Sequence, residues 1–103
     1  WAVILKETSE LIGICELSIQ EVDEQNQIEL GYRFVKKYWG QGFATEAANT
    51  VKKYARDNLN IKKLISIINP ANSASIHVAQ KIGMSLEKAT TTFTPVLVYA
   101  IEW

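Results

Sequence analysis

The residues with the plainest chemical meaning in this 103-residue chain are two glycines, Gly40 and Gly42, standing where a strand-like pattern gives way to a helical one. A glycine-permissive turn leading into a helix presents its own main-chain N–H groups together with the first unpaired N–H groups of the helix. Such a cradle takes an anion, and phosphate or pyrophosphate is its natural occupant. The simpler reading of the same pair is a tight turn whose glycines only supply unusual dihedrals. Two stronger phosphate motifs do not fit. A P-loop requires GxxxxGK(S/T) and a dinucleotide fingerprint requires GxGxxG with a later ribose-binding acid, whereas Gly42 is followed by Phe43, Ala44 and Thr45. Cys15 is the one cysteine and His77 the one histidine, so neither an internal disulfide nor a Cys/His zinc site can form. Cys15 lies in an apolar stretch with no base near it in sequence and reads as core, not nucleophile. His77 reads as a surface or half-buried helix side chain.

A cradle of this kind needs a strand to deliver the chain and a helix to leave from it. Residues 28–35 alternate, with Ile28, Leu30, Tyr32 and Phe34 on one face and Glu29, Gly31, Arg33 and Val35 on the other, which is strand spacing. Gly31 inside it marks a bulge or a point where another group approaches the backbone. Beyond the loop at 36–42, Ala44, Ala47, Ala48, Val51, Tyr54, Ala55 and Leu59 recur at helical spacing over 43–59, with Lys52, Lys53 and Arg56 on the opposite, solvated side. Residues 64–68 are nearly all apolar, as in a strand buried on both faces. Asn72 is placed to cap a second helix carrying Ile76, Ala79 and Ile82, with Gly83 at its C′ position. Ahead of these lie strands at 1–5 and 11–17 joined by a hairpin, then a polar loop at 21–27. After them, runs 85–93 and 96–103 form a hairpin near Thr94 and Pro95. The order is β-β-β-α-β-α-β-β. The helix between strands 28–35 and 64–68 is a crossover, so those two strands run parallel and the outer ones antiparallel.

Length and composition fit one small domain over residues 1–103, with 48% hydrophobic and 21% charged residues. Eleven basic residues balance eleven acidic ones, so no global basic field draws nucleic acid or an anionic membrane. No apolar run approaches the ~20 residues that span a bilayer, and a cytoplasmic location is expected. The chain opens at Trp1 without a Met, so the expectation is that its natural N-terminus lies further upstream.

The segment from Lys37 through Gly40, Gln41 and Gly42 to Ala47, following Glu29-Leu30-Gly31-Tyr32, resembles the GNAT superfamily of acetyl-CoA-dependent N-acetyltransferases, and within it the RimJ/RimL-like branch. The superfamily signature (Arg/Gln)-x-x-Gly-x-(Gly/Ala) maps onto Lys37, Gly40 and Gly42. A second segment, Asn72 to Ser75 and then Ala79 to Met84, is similar to the family's Asn-x-x-(Ser/Ala) helix start and closing Lys-x-Gly-Phe. The resemblance implies a mixed α/β fold: a mostly antiparallel sheet, a central parallel pair splayed apart, two helices, and a first strand and two helices lying ahead of Trp1. It implies that main-chain groups of Phe34 and Val35 hold the pantetheine arm of acetyl-CoA and that Asn72 faces that arm. The pyrophosphate is then held at Gly40, Gln41, Gly42, Phe43, Ala44 and Thr45; Lys52, Lys53 and Arg56 read first as a solvated face, with the approach of one of them to the 3′-phosphate as the alternative. The usual family tyrosine is replaced by Ala79, which leaves Ser75 as the hydrogen-bond donor to the departing thiolate, and Glu29 occupies the strand position of a general base acting through a water.

The implied reaction is attack of a primary amine on a thioester, without metal. A thiol with a pKa near ~8.5 departs at neutral pH with modest help. Deprotonating a lysine-like amine of pKa ~10.4 at pH 7 costs roughly 4.6 kcal/mol, whereas an α-amine near ~7.7 costs about 1. A weak carboxylate base therefore favours α-amino acceptors such as a peptide N-terminus, with small-molecule amines as the other class. Two alternatives stand beside this reading: a catalytically silent CoA-binding or regulatory domain, and an oligomerisation module, since an unpaired edge at strand 1–5 invites a partner strand and a homodimer.

Overall fold

The period-2 and period-3.6 stretches fold in the expected order. A computed structural model describes residues 1–91 and 94–103. Strands β1 (Ala2–Leu5), β2 (Glu10–Val22) and β3 (Gln25–Phe34) lead through a short 3-10 turn (Lys36–Tyr38) into helix α1 (Phe43–Asn58). Strand β4 (Lys63–Ile68), helix α2 (Ser73–Lys81) and strands β5 (Ser85–Thr91) and β6 (Pro95–Glu102) complete the chain. The sheet runs β1-β2-β3-β4-β6-β5. Its pairs are antiparallel except β3 with β4, as the crossover through α1 requires. Thr92 and Phe93, at the end of the expected run 85–93, lie outside the described residues.

Helix α1 lays a stripe of small residues on the sheet, burying Ala48, Val51 and Ala55, while Tyr54 and Leu59 remain exposed at its rim. Asn72 caps α2, its side chain accepting from the Ser75 N–H at 3.1 Å, and Gly83 follows the helix at φ 97°. Both helices pack into one core with Leu30, Leu64, Ile68, Met84 and Tyr99. Cys15 is fully buried in that core, and burial pushes its thiol up to about 11, so it is a packing residue.

Two expectations are corrected. The stretch 21–27 is not a free loop: the β2–β3 ladder continues to Val22↔Gln25 and turns on Asp23 and Glu24, both at positive φ, as a type I′ turn demands. The polar residues of this stretch stay in strand because tertiary packing overrides their weak β propensity. Val22 is buried against Ile65 and Val98, and the Asp23 carboxylate binds Lys88 at 2.7 Å and Thr90 at 3.0 Å. Nor does a bulge occur at Gly31, where Glu16↔Gly31 pairs in unbroken register. The other reading of this glycine, a close approach, holds: the Glu16 side chain lies over it, with Cγ 3.4 Å from the point a β-carbon would occupy.

Candidate active site

Strands β3 and β4 meet at one pair, Glu29↔Ile65, and then diverge. In β3 the Val35 N–H donates across to Ile12 on β2, so by strand alternation the main-chain groups of Leu30, Tyr32 and Phe34 face the other way, toward β4. The gap that opens there is the inner end of a cleft of about 640 Å³. At its inner end the Ile67 N–H donates to Glu29 Oε2 at 2.8 Å and the Ser66 hydroxyl donates to the Leu30 carbonyl at 2.7 Å. Burial raises the Glu29 carboxyl above its ordinary value; the Ile67 N–H opposes the rise and the Glu16 charge adds to it. A carboxylate that is partly desolvated yet still lines an open cleft is suited to accept a proton.

The outer end is built by the glycine loop. The Trp39 indole donates to the Phe34 carbonyl at 2.9 Å and the Gln41 side chain to the Lys37 carbonyl at 3.3 Å, which folds the loop back on the end of β3. Gly42, at φ 85°, is the N-cap of α1 and supplies no side-chain cap, so the first-turn N–H groups of the helix are left for an external acceptor. A β-carbon at Gly40 or Gly42 would meet nothing within 4 Å, so the ground above the helix start is open. Along the side wall, Tyr32 reaches from β3 to α2 and donates its hydroxyl to the Ser75 carbonyl at 2.7 Å. Burial pushes that hydroxyl well above the usual tyrosine range, so it stays protonated.

The fold thus brings Glu29, Phe34, Gly40, Gly42, Ala44, Thr45, Asn72 and Ser75 to one cleft. Three sequence candidates stand apart from its lining. Val35 has its N–H on Ile12 and its carbonyl on Tyr38. The Gln41 side chain turns back to the loop, and the Phe43 ring packs edge-on against Tyr38 at 6.0 Å. Tyr32, Ser66, His77 and Lys81 line the cleft and were not among those candidates. Ser66 had a visible signal, being the one polar residue in an otherwise apolar strand centre. Two of the cations of α1 are engaged elsewhere: Lys52 donates to the Ile82 carbonyl at 2.8 Å, and Arg56 pairs with Asp57 at 2.7 Å. Among the described residues no three of His, Cys, Asp and Glu are grouped to hold a metal, and no helix is long and apolar enough to cross a membrane.

A family model described as "Acetyltransferase (GNAT) domain" matches residues 1–85. The chain belongs to the GNAT acetyltransferase family. It is 37% identical over 100 residues to the uncharacterized protein YkkB of Bacillus subtilis, covering 96% of this chain and 58% of that protein. To an uncharacterized N-acetyltransferase, p20, of Bacillus licheniformis it is 32% identical over 88 residues, covering 84% and 48%. The solved structure of a GNAT-family acetyltransferase from Bacillus anthracis superposes with a TM-score of 0.81 at 28% identity, covering 98% of this chain and 64% of that one. The chain spans about half the length of the curated relatives it matches. As a GNAT domain it has Gly40 and Gly42 at the outer end of the cleft and its diverging strands at the inner end.

Proposed function

We propose that the protein is an N-acetyltransferase moving an acetyl group from acetyl-CoA to a primary amine by direct attack. The observation that carries this reading is the continuous cleft from the uncapped start of α1 to the Glu29 carboxylate between β3 and β4. Bound acetyl-CoA supplies an activated acetyl thioester. The main-chain N–H groups of Gln41, Gly42, Phe43, Ala44 and Thr45 hold its pyrophosphate, because a helix start without a side-chain cap is an anion site. Phe34 and Asn72 flank the arm inside the gap. Glu29 draws the proton from the attacking amine through a water, and its raised pKa brings it closer to neutrality for that task. Ser75, at the start of α2, donates a hydrogen bond to the leaving sulfur. This serine, together with Ala79 where the family tyrosine stands, supports the RimJ/RimL-like branch. A weak base favours α-amines over lysine-like amines as acceptors.

Ala79, fully buried and without a donor, favours a second reading in which the domain binds CoA without turnover. A thiol-release assay with acetyl-CoA and a panel of amines, including Ala- and Ser-starting peptides and a polyamine, separates the two. Amine-dependent release is expected. A rise in melting temperature with acetyl-CoA but no release under any amine would leave the silent binder standing.

A further inference from the structure

The split between β3 and β4 has a definite chemical cause. With Glu29 and Ile65 in register and the even-numbered main-chain groups of β3 facing β4, the next rung of a parallel ladder joins the Ile67 N–H to the Leu30 carbonyl. Neither partner makes that bond. The Ile67 N–H is taken by Glu29 Oε2 from the opposite strand, and the Leu30 carbonyl is taken by the Ser66 hydroxyl, again from the opposite strand. One rung is thus replaced by two reciprocal side-chain bonds, and both backbone groups remain satisfied after the strands part. Ser66 is 2% exposed, and no buried side-chain polar atom among the described residues lacks a partner.

We infer that Ser66 is a positioning residue whose hydroxyl, opposite Glu29, keeps the inner end of the cleft open by occupying the bond that would otherwise close it. This inference rests on the coenzyme-binding reading above for its functional consequence, but not for its structural one. Without the hydroxyl, the Leu30 carbonyl is a buried orphan, which costs about 1–3 kcal/mol. The direct rung to Ile67 is the nearest remedy, and it advances the pairing by two residues, about 6.6 Å of strand.

The test compares Ser66→Thr with Ser66→Val, which share shape and differ in the hydroxyl. In the ligand-free protein, a scalar coupling across a hydrogen bond between the Ile67 amide nitrogen and the Leu30 carbonyl carbon is expected in Ser66→Val and in neither the parent nor Ser66→Thr. Acetyl-CoA dissociation constants, measured well below both melting temperatures, are expected to be on the order of tenfold weaker for Ser66→Val and within about threefold of the parent for Ser66→Thr. A merely structural serine would lower the melting temperature while leaving the two constants alike. Absence of the coupling in Ser66→Val, or equal constants for the two variants, overturns the inference. If the parent itself fails to bind acetyl-CoA, the coenzyme reading falls and the coupling alone still decides what Ser66 does.

Discussion

Glu29 holds a strand and lines the cleft with the same carboxylate. One oxygen accepts the Ile67 N–H, and burial lifts the acid above its ordinary value of 4.5. In the proposed reaction turnover needs the deprotonated base, so kcat should rise as pH rises through this lifted value. Stability runs the other way. A folded-state acid with a raised pKa holds its proton longer than the unfolded chain does, so its contribution favours folding as pH falls through the folded value. Glu29→Gln keeps an acceptor for Ile67 and discards the proton site. The limb set by Glu29 should disappear, leaving only the rise set by the acceptor amine's own pKa, and turnover should drop by ~100-fold or more, with the melting temperature at pH 7 no lower than the parent's. A preserved limb would assign the base elsewhere. Gly42 makes a second case at this scale. Its φ of 85° and open surroundings mean that a side chain meets strain but no clash, about 1 kcal/mol or about 4–8 °C of melting temperature. Gly42→Glu adds to that strain a carboxylate at the positive start of α1, so the stabilisation given by acetyl-CoA should vanish, whereas Gly42→Ala should show the strain alone. Stabilisation that survives in Gly42→Glu would remove the loop from the site.

Between elements, a cross-strand contact sets the end of β3. Gly13 on β2 pairs with Phe34, and a β-carbon there would lie 2.6 Å from the Phe34 ring and 2.7 Å from the Arg33 carbonyl. Because one of those neighbours is backbone, Gly13→Ala should cost about 1–3 kcal/mol in denaturant unfolding. It should also weaken acetyl-CoA binding, since Phe34 lines the cleft and its carbonyl holds the loop through Trp39. A variant as stable as the parent would show that the ring yields freely. Contacts of this kind mark where reading from sequence stops. The order of elements, the parallel pair and both caps of α2 are legible, because each follows from local periodicity or from one capping residue. The gap is legible only as a consequence of family resemblance. Its cause is an exchange of bonds between Glu29 and Ser66, residues 37 positions apart in the chain, and no local pattern reports that. Val35 shows the same limit. Neighbouring residues of a strand turn their main-chain groups to opposite sides, and which of Phe34 and Val35 faces the gap depends on a register that only the β2 partner sets.

At the scale of the molecule, the gap divides the sheet into β1-β2-β3 and β4-β6-β5, and α1 and α2 bridge the halves on one face. The other face is bridged by the β2–β3 hairpin itself. Its tip lays Val22 on Ile65 and Val98, and Asp23 reaches β5 through Lys88 and Thr90. The tip lies at the start of β3 and the cleft opens toward its end, so the two halves are tied at the end away from the mouth. The apolar and the charged part of this tie separate by experiment. Val22→Ala removes two buried methyl groups and should cost about 1–2 kcal/mol at any pH. Hydrogen bonds from Lys88 and Thr90 hold the Asp23 carboxyl below its ordinary value. Its contribution is therefore present above the unfolded pKa and is lost as pH falls through the folded one. The charged part sits at the surface and is screened by salt, so Asp23→Asn should flatten the acid limb of the stability profile at low ionic strength, with little effect in high salt. If Val22→Ala were neutral while Asp23→Asn was costly at every pH, the halves would be joined by the ion pair and not by the buried valine.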